Sequence, residues 1–302
     1  MSPCQLQYMI RPIEKLPFLS YNAEREEGQK LQTIRLASAK ELDIVKTFEC
    51  GQCFRWNADE KGVYTGVVRG YPARVWTDGG EVFLCSDGPE ELWRDYFDLS
   101  RDYALISRFD GGEYLDRCVQ YGMGIRILRQ EPWEALCSFI ISQCNNIKRI
   151  KDIVERLCER LGDELRFDGQ RFYSFPGPEK LAFLLPEDLS CLRCGYRGAY
   201  LIDAARSVCT GQTELQSLIS ASADDARKAL LKINGVGEKV ANCVVLFGLH
   251  HMEAFPIDVW IKRALKEHFP KYFDPTVLGE YAGLAQQYIF YYARSGEGEK
   301  SG

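Results

Sequence analysis

Hydrophobic and polar positions alternate with a period of two in three early runs, residues 63–68, 73–77 and 81–84. Turn formers stand between them, Gly70-Tyr71-Pro72 and Asp78-Gly79-Gly80, so the spacing predicts an antiparallel meander. Ser38-Ala39-Lys40-Glu41 reads as a capping box for a short helix ahead of the meander, and Pro89-Glu90-Glu91 opens another helix behind it. That order predicts a mixed α+β domain over residues 1–117.

From residue 118 the period becomes helical. Ile147, Ile150, Val154, Leu157 and Leu161 keep this spacing, as do Val240, Cys243, Val244 and Phe247, and then Ile261, Ala264, Leu265 and His268. Such stripes are core faces. Pro176-Gly177-Pro178 and Leu185-Pro186-Glu187 cut the helices into short units. Residues 118–302 therefore read as an all-helical second domain, and the fold class as α+β: an N-terminal antiparallel sheet with flanking helices, then helices alone. No internal repeat is visible, and only residues 295–302 read as disordered.

A chain of 302 residues with 46% hydrophobic content can bury a large core and has room for two domains. No apolar run follows Met1-Ser2-Pro3-Cys4 and no stretch reaches membrane-span length, which predicts a soluble, cytoplasmic protein away from membranes. The 12 cysteines then read as reduced thiols buried as small hydrophobes. Cys50 with Cys53 and Cys191 with Cys194 have the spacing of a zinc or redox site, but the pairs lie far apart, and no metal is expected. A formal charge of -5 counts against a polyanionic partner, because neutralising phosphates needs a basic surface. Net charge averages over the surface, however. Backbone amides and a few arginines suffice for a local positive face, with acidic stretches such as Glu24-Arg25-Glu26-Glu27 placed elsewhere.

The densest chemistry lies in Ile233-Asn234-Gly235-Val236-Gly237-Glu238-Lys239, a glycine hairpin leading into a helix, followed by Phe255-Pro256-Ile257-Asp258-Val259-Trp260. The N–H groups of such a hairpin can turn toward a phosphate. An amine one step into the helix feels the positive end of the dipole, which disfavours its ammonium form and favours the nucleophile. Each piece alone has a plainer reading: permissive turn glycines, a solvated first-turn lysine, and an N-cap for the helix that follows Asp258. Together they resemble the helix-hairpin-helix and Gly/Pro-Asp signature of the base-excision DNA glycosylases, in which the lysine marks members that also cleave the strand. Five further stretches occur in the order of the 8-oxoguanine DNA glycosylases, so that the resemblance runs through most of the chain. They are Cys50-Gly51-Gln52-Cys53-Phe54-Arg55-Trp56, Ile127-Leu128-Arg129-Gln130-Glu131-Pro132, Asn145-Asn146-Ile147-Lys148-Arg149-Ile150, Gly195-Tyr196-Arg197 and Tyr281-Ala282-Gly283-Leu284-Ala285-Gln286.

The resemblance implies a bifunctional glycosylase/AP lyase that acts on double-stranded DNA containing 8-oxoguanine, as a monomer and without a cofactor. It would work at the nucleoid of a bacterium or in a eukaryotic nucleus. Lys239 would attack the sugar and Asp258 would stabilise its cationic form. The flipped base would lie between Phe290 and Cys243, with Gln286 on its Watson-Crick edge and the Gly51 carbonyl on N7-H, the proton that guanine lacks. Lys239 and Cys243 are four apart, as are Gln286 and Phe290, so each pair shares one helix face. Tyr196 would wedge into the stack, and Arg149 and Arg197 would read the orphaned cytosine. Asn234, Gly235, Val236 and Gly237 would bind phosphate.

Two departures stand out. Cys144-Asn145-Asn146 replaces three asparagines, the first of which helps fill the gap left by extrusion, and Trp260 stands where the family has a histidine. Some hairpin glycosylases hold an iron-sulfur cluster on cysteines beyond the catalytic aspartate, whereas no cysteine follows Cys243. The rival readings are a hairpin glycosylase for another damaged base and a non-catalytic hairpin that grips DNA.

Overall fold

The structure, a computed structural model, describes residues 31–296. The expectations placed on the first thirty residues, and most of the C-terminal tail, lie outside the described residues. From Leu31 on, the chain packs as one compact unit.

Strands β1 (Gln32–Ser38), β2 (Asn57–Ala58), β3 (Tyr64–Val68), β4 (Tyr71–Asp78) and β5 (Glu81–Ser86) form an antiparallel sheet in the order β1-β5-β4-β3-β2. β3 to β5 are the expected meander. The two edges had no period-two signature: β1 buries only Leu36 and Ala37 near its end, and β2 is two exposed residues. Ser38 and Glu41 do bond to each other, Oγ to Oε2 at 2.8 Å, but they close a turn. The helix Ile44–Glu49 begins later, where Asp43 Oδ1 accepts from the Lys46 amide at 3.0 Å.

Phe48 and Trp56 stack at 4.5 Å between centroids under the sheet, and Trp56 Nε1 donates to the Tyr96 hydroxyl at 2.9 Å. A second, larger core fills the helical part. The segment from Cys50 to Trp56 is stitched between the two: Cys53 and Trp56 belong to the sheet core, Cys50 and Phe54 to the helical one. Side chains drawn into different cores on either side of Gly51, Cys50 before it and Cys53 after it, hold it at the seam.

Around that seam stand the helices Pro132–Ile141, Ile147–Leu161, Arg197–Cys209, Glu238–Phe247, Val259–His268 and Ala282–Arg294. Their apolar stripes face the core, with Ile147, Leu161 and Leu265 only half-buried, and His268 is exposed and stacks on Tyr114 at 3.9 Å. Pro178 and Pro186 each start a short helical segment, Pro178–Ala182 and Pro186–Leu192. The helical part also carries a hairpin, β6 (Glu164–Phe167) with β7 (Gln170–Tyr173). Its turn is Asp168-Gly169 with both φ values positive, 47° and 73°, a two-residue signal that period counting passes over. The expected boundary after residue 117 falls inside the helix Gly112–Gly122. Among the described residues no helix is long and apolar enough to cross a membrane.

Candidate active site

The glycine hairpin joins the helix Ala223–Leu230 to the helix Glu238–Phe247. Ile233 and Val236 are buried and pin the hairpin to the core, so the Val236 side chain is not available to a ligand, while Asn234 and Gly237 stay exposed. Gly235 has φ 82°, and a Cβ there would stand 2.2 Å from the Tyr200 ring, so backbone and space both require glycine. Asn234 Nδ2 donates to Asp203 at 2.8 Å, and Gln143 Nε2 donates to the Gly235 carbonyl at 3.0 Å. Gly237 caps the following helix without a side chain, so no side-chain cap engages its first-turn amides.

Lys239 is half-buried one step into that helix. Its Nζ donates to Ser142 Oγ at 3.1 Å and lies 5.4 Å from the Phe139 centroid. Asp258 caps Val259–His268, Oδ1 accepting from the Ile261 amide at 2.9 Å, and also borders the cleft that Lys239 enters. The capping reading and the catalytic one thus describe the same carboxylate, since the cap bond involves one oxygen. The cleft is lined by Gly51, Lys239, Cys243, Asp258, Gln286 and Phe290 together with Cys50, Phe139, Phe247, Pro256 and Gln287.

Burial pushes the Cys243 thiol up from its ordinary value; Lys239 pulls it down and Asp258 adds to the rise. Burial likewise lifts Cys50, to about 12, and both remain neutral thiols at neutral pH. Gln286 is 4% exposed, and its Oε1 has no hydrogen-bond partner among the described residues, an acceptor held ready in a polar-poor wall. Gly51, at φ 79°, lies against the Phe290 ring, whose Cε1 would be 3.2 Å from a Cβ at that position.

The residues expected at the gap, Cys144, Asn145, Arg149, Tyr196 and Arg197, form a second group, an arm of the loops around residues 144 and 196. Tyr196 is 54% exposed with the Arg197 guanidinium 4.6 Å from its centroid. Arg197 itself is buried, and it donates to the carbonyls of Gln143, Cys144 and Cys194. These bonds tie its guanidinium to the loop that carries Cys144. Arg149 is exposed, and its guanidinium donates to Arg193 O at 3.3 Å. Cys144 is exposed in the left-handed region at φ 46°; Asn145 Nδ2 donates to Ile141 O at 3.2 Å, and Asn146 caps the helix Ile147–Leu161. Sequence reasoning passed over Ser142 and Gln143, which join the two groups through Lys239 and Gly235; neither has a period or motif to mark it. Among the described residues no three His, Cys, Asp or Glu side chains converge as a metal site.

Residues 35–136 match the family model described as 8-oxoguanine DNA glycosylase, N-terminal domain. Residues 137–273 match that of the HhH-GPD superfamily of base excision DNA repair proteins, which gives the class that the hairpin and its cleft define. The N-glycosylase/DNA lyase of Saccharomyces cerevisiae is 42% identical over 261 residues, covering 76% of this chain and 69% of the relative. A probable N-glycosylase/DNA lyase of Methanothermobacter thermautotrophicus is 30% identical over 69% of this chain and 77% of its own. Among solved structures, the Clostridium acetobutylicum 8-oxoguanine glycosylase/lyase, in complex with double-stranded DNA containing cytosine opposite 8-oxoG, superposes with a TM-score of 0.79 at 33% identity, covering 89% of this chain and 98% of that one. The chain belongs to the 8-oxoguanine DNA N-glycosylase/lyase family.

Proposed function

We propose that this enzyme extrudes 8-oxoguanine from duplex DNA, excises it with preference for cytosine opposite, and nicks the abasic product by β-elimination. The observation that carries the reading is the convergence of Gly51, Lys239, Cys243, Asp258, Gln286 and Phe290 on one cleft. The extruded purine slots between Phe290 and the Cys243 thiol. Gln286 Oε1 accepts from its Watson-Crick N–H groups, and the Gly51 carbonyl accepts N7-H.

The free amine of Lys239 bonds to C1′ as the glycosidic bond breaks and the base leaves with its electron pair. Asp258 stabilises the positive charge that develops on the sugar. Loss of a proton from the amine and ring opening give an imine between Nζ and C1′. Removal of a C2′ proton then expels the 3′ phosphate, and water releases the enzyme. The Ser142 hydroxyl, already bonded to Nζ, orients the amine. On the opposite strand Arg149 is the arginine with donors to offer, and Arg197 shapes the arm that presents Tyr196 and Cys144. Such a substrate places the enzyme wherever the genomic DNA is, in nucleoid or nucleus.

The test is a set of four duplexes that carry one 8-oxoguanine and differ only in the opposite base. Nicking at the lesion, fastest opposite cytosine, is expected. Intact 8-oxoguanine strands alongside excision of an alkylated base would favour a different substrate for the same cleft.

A further inference from the structure

The peptide carrying Gly51 is gripped on both sides by its neighbours' carbonyl oxygens. Arg294 Nη2 donates a short bond to Glu49 O, Gln287 Nε2 donates to Cys50 O at 2.6 Å, and Gln130 Nε2 donates to Gln52 O at 2.7 Å. Of these four consecutive carbonyls, only that of Gly51 receives no donor from the described residues, and Gly51 borders the cleft. Gln287 and Arg294 both project from the helix Ala282–Arg294, which also carries Gln286 and Phe290. The Arg294 guanidinium lies 5.4 Å from the Phe290 centroid. Its Nη1 is buried without a hydrogen-bond partner among the described residues, 3.7 Å from where a Gly51 Cβ would be.

We propose that Gln287 and Arg294 are positioning residues that set lesion specificity, by fixing the direction of the Gly51 carbonyl and backing the Phe290 ring. The inference rests on the functional reading above. Guanine presents a bare N7 acceptor to the carbonyl oxygen and 8-oxoguanine presents N7-H, so rejection of guanine depends on two acceptors being made to face each other. A glycine peptide turns easily, and a carbonyl free to rotate away would lose that penalty. Side chains from the base-binding helix remove the freedom, and they tie slot width and N7 reading to one rigid element.

Gln287→Met keeps the length and Arg294→Met keeps an unbranched apolar stem, both without the donors, while Arg294→Lys returns one donor to the Glu49 carbonyl. Three quantities separate positioning from general damage: single-turnover excision of 8-oxoguanine, nicking of a preformed abasic site, and the binding preference for 8-oxoguanine over guanine duplexes in a Lys239→Gln background. The methionine variants are expected to lose about ten- to a hundredfold in excision, as for sub-ångström misplacement of a recognition group. Their binding preference should fall in parallel, abasic nicking, which places no base in the slot, should persist, and Arg294→Lys should recover part of the loss. Excision and nicking that fall together, or an unchanged binding preference, would overturn the proposal. Wild-type protein that leaves the 8-oxoguanine duplex intact contradicts the functional reading itself, whatever the variants do.

Discussion

At the residue scale, the proposed roles of Asp258 and Cys144 can each be separated from their structural ones. Asp258 both caps a helix and faces the cleft, so Asp258→Asn separates the roles: asparagine still caps, but the charge is gone. Base release should slow by about 10²–10³-fold, the usual cost of removing one group aimed at developing charge, with the melting temperature nearly unchanged. A folded variant cutting at the wild-type rate would leave Asp258 as a cap only. Cys144 sits at φ 46°, a conformation that asparagine accepts more readily than cysteine. Cys144→Asn should therefore cost no stability and should raise the cytosine-to-adenine ratio in single-turnover excision, because an amide fills the gap with stronger donors than a thiol. An unchanged ratio would remove Cys144 from opposite-base selection. The cleft residues Gly51, Lys239, Cys243, Asp258, Gln286 and Phe290 were legible because each belongs to a local motif or shares a helix face with one. Ser142 and Gln287 were not, because their bonds to Lys239 and Cys50 cross 97 and 237 residues of sequence. Arg197 was legible as a position, but its bonds to loop carbonyls follow only from the folded arm.

At the element scale, the hairpin is a small rigid device whose geometry depends on Gly235. A methyl group there meets Tyr200 at 2.2 Å on a backbone with positive φ. Gly235→Ala is thus expected to destabilise the protein by more than about 1 kcal/mol. It should also weaken binding to undamaged duplex, measured by fluorescence anisotropy, since the first-turn amides lose their register. Wild-type affinity would mean that phosphate is held elsewhere. The meander and the helical stripes were readable because burial repeats along them at a fixed period. β1 and β2 were hidden, since an edge strand with one or two buried residues has no period to display, and the β6-β7 hairpin announces itself only in the Asp168-Gly169 turn.

At the scale of the whole molecule, sheet and helices are locked together by a buried hub. Burial of the Asp98 carboxyl opposes its ionisation, but His250 at 3.4 Å and the guanidiniums of Arg129 and Arg101, at 2.9 and 3.0 Å, hold it well below the usual carboxylate range. Burial pushes His250 down as well. Both shifts have the same sign in pH. A depressed carboxylate stabilises the fold above its unfolded value of about 4 and loses that contribution as pH falls toward its folded value, and a depressed histidine favours the unfolded chain once pH drops below about 6.5. Stability should therefore decline from pH 7 downward and steeply below about 4. Asp98→Asn keeps a side chain suited to its φ of 49° but strands the cations; it should cost about 3–5 kcal/mol at pH 7 and flatten the acid limb of the melting curve. An unaltered pH profile would place the acid sensitivity elsewhere. The net charge of -5 was a poor guide at this scale, because it averages over the whole surface and says nothing of a local face. The central claim, that Lys239 in this shared cleft becomes covalently joined to the sugar it strips, is tested most directly by borohydride trapping on an 8-oxoguanine duplex. The account predicts a protein–DNA adduct from the wild-type chain and none from Lys239→Gln, whereas an undiminished adduct from that variant would contradict it.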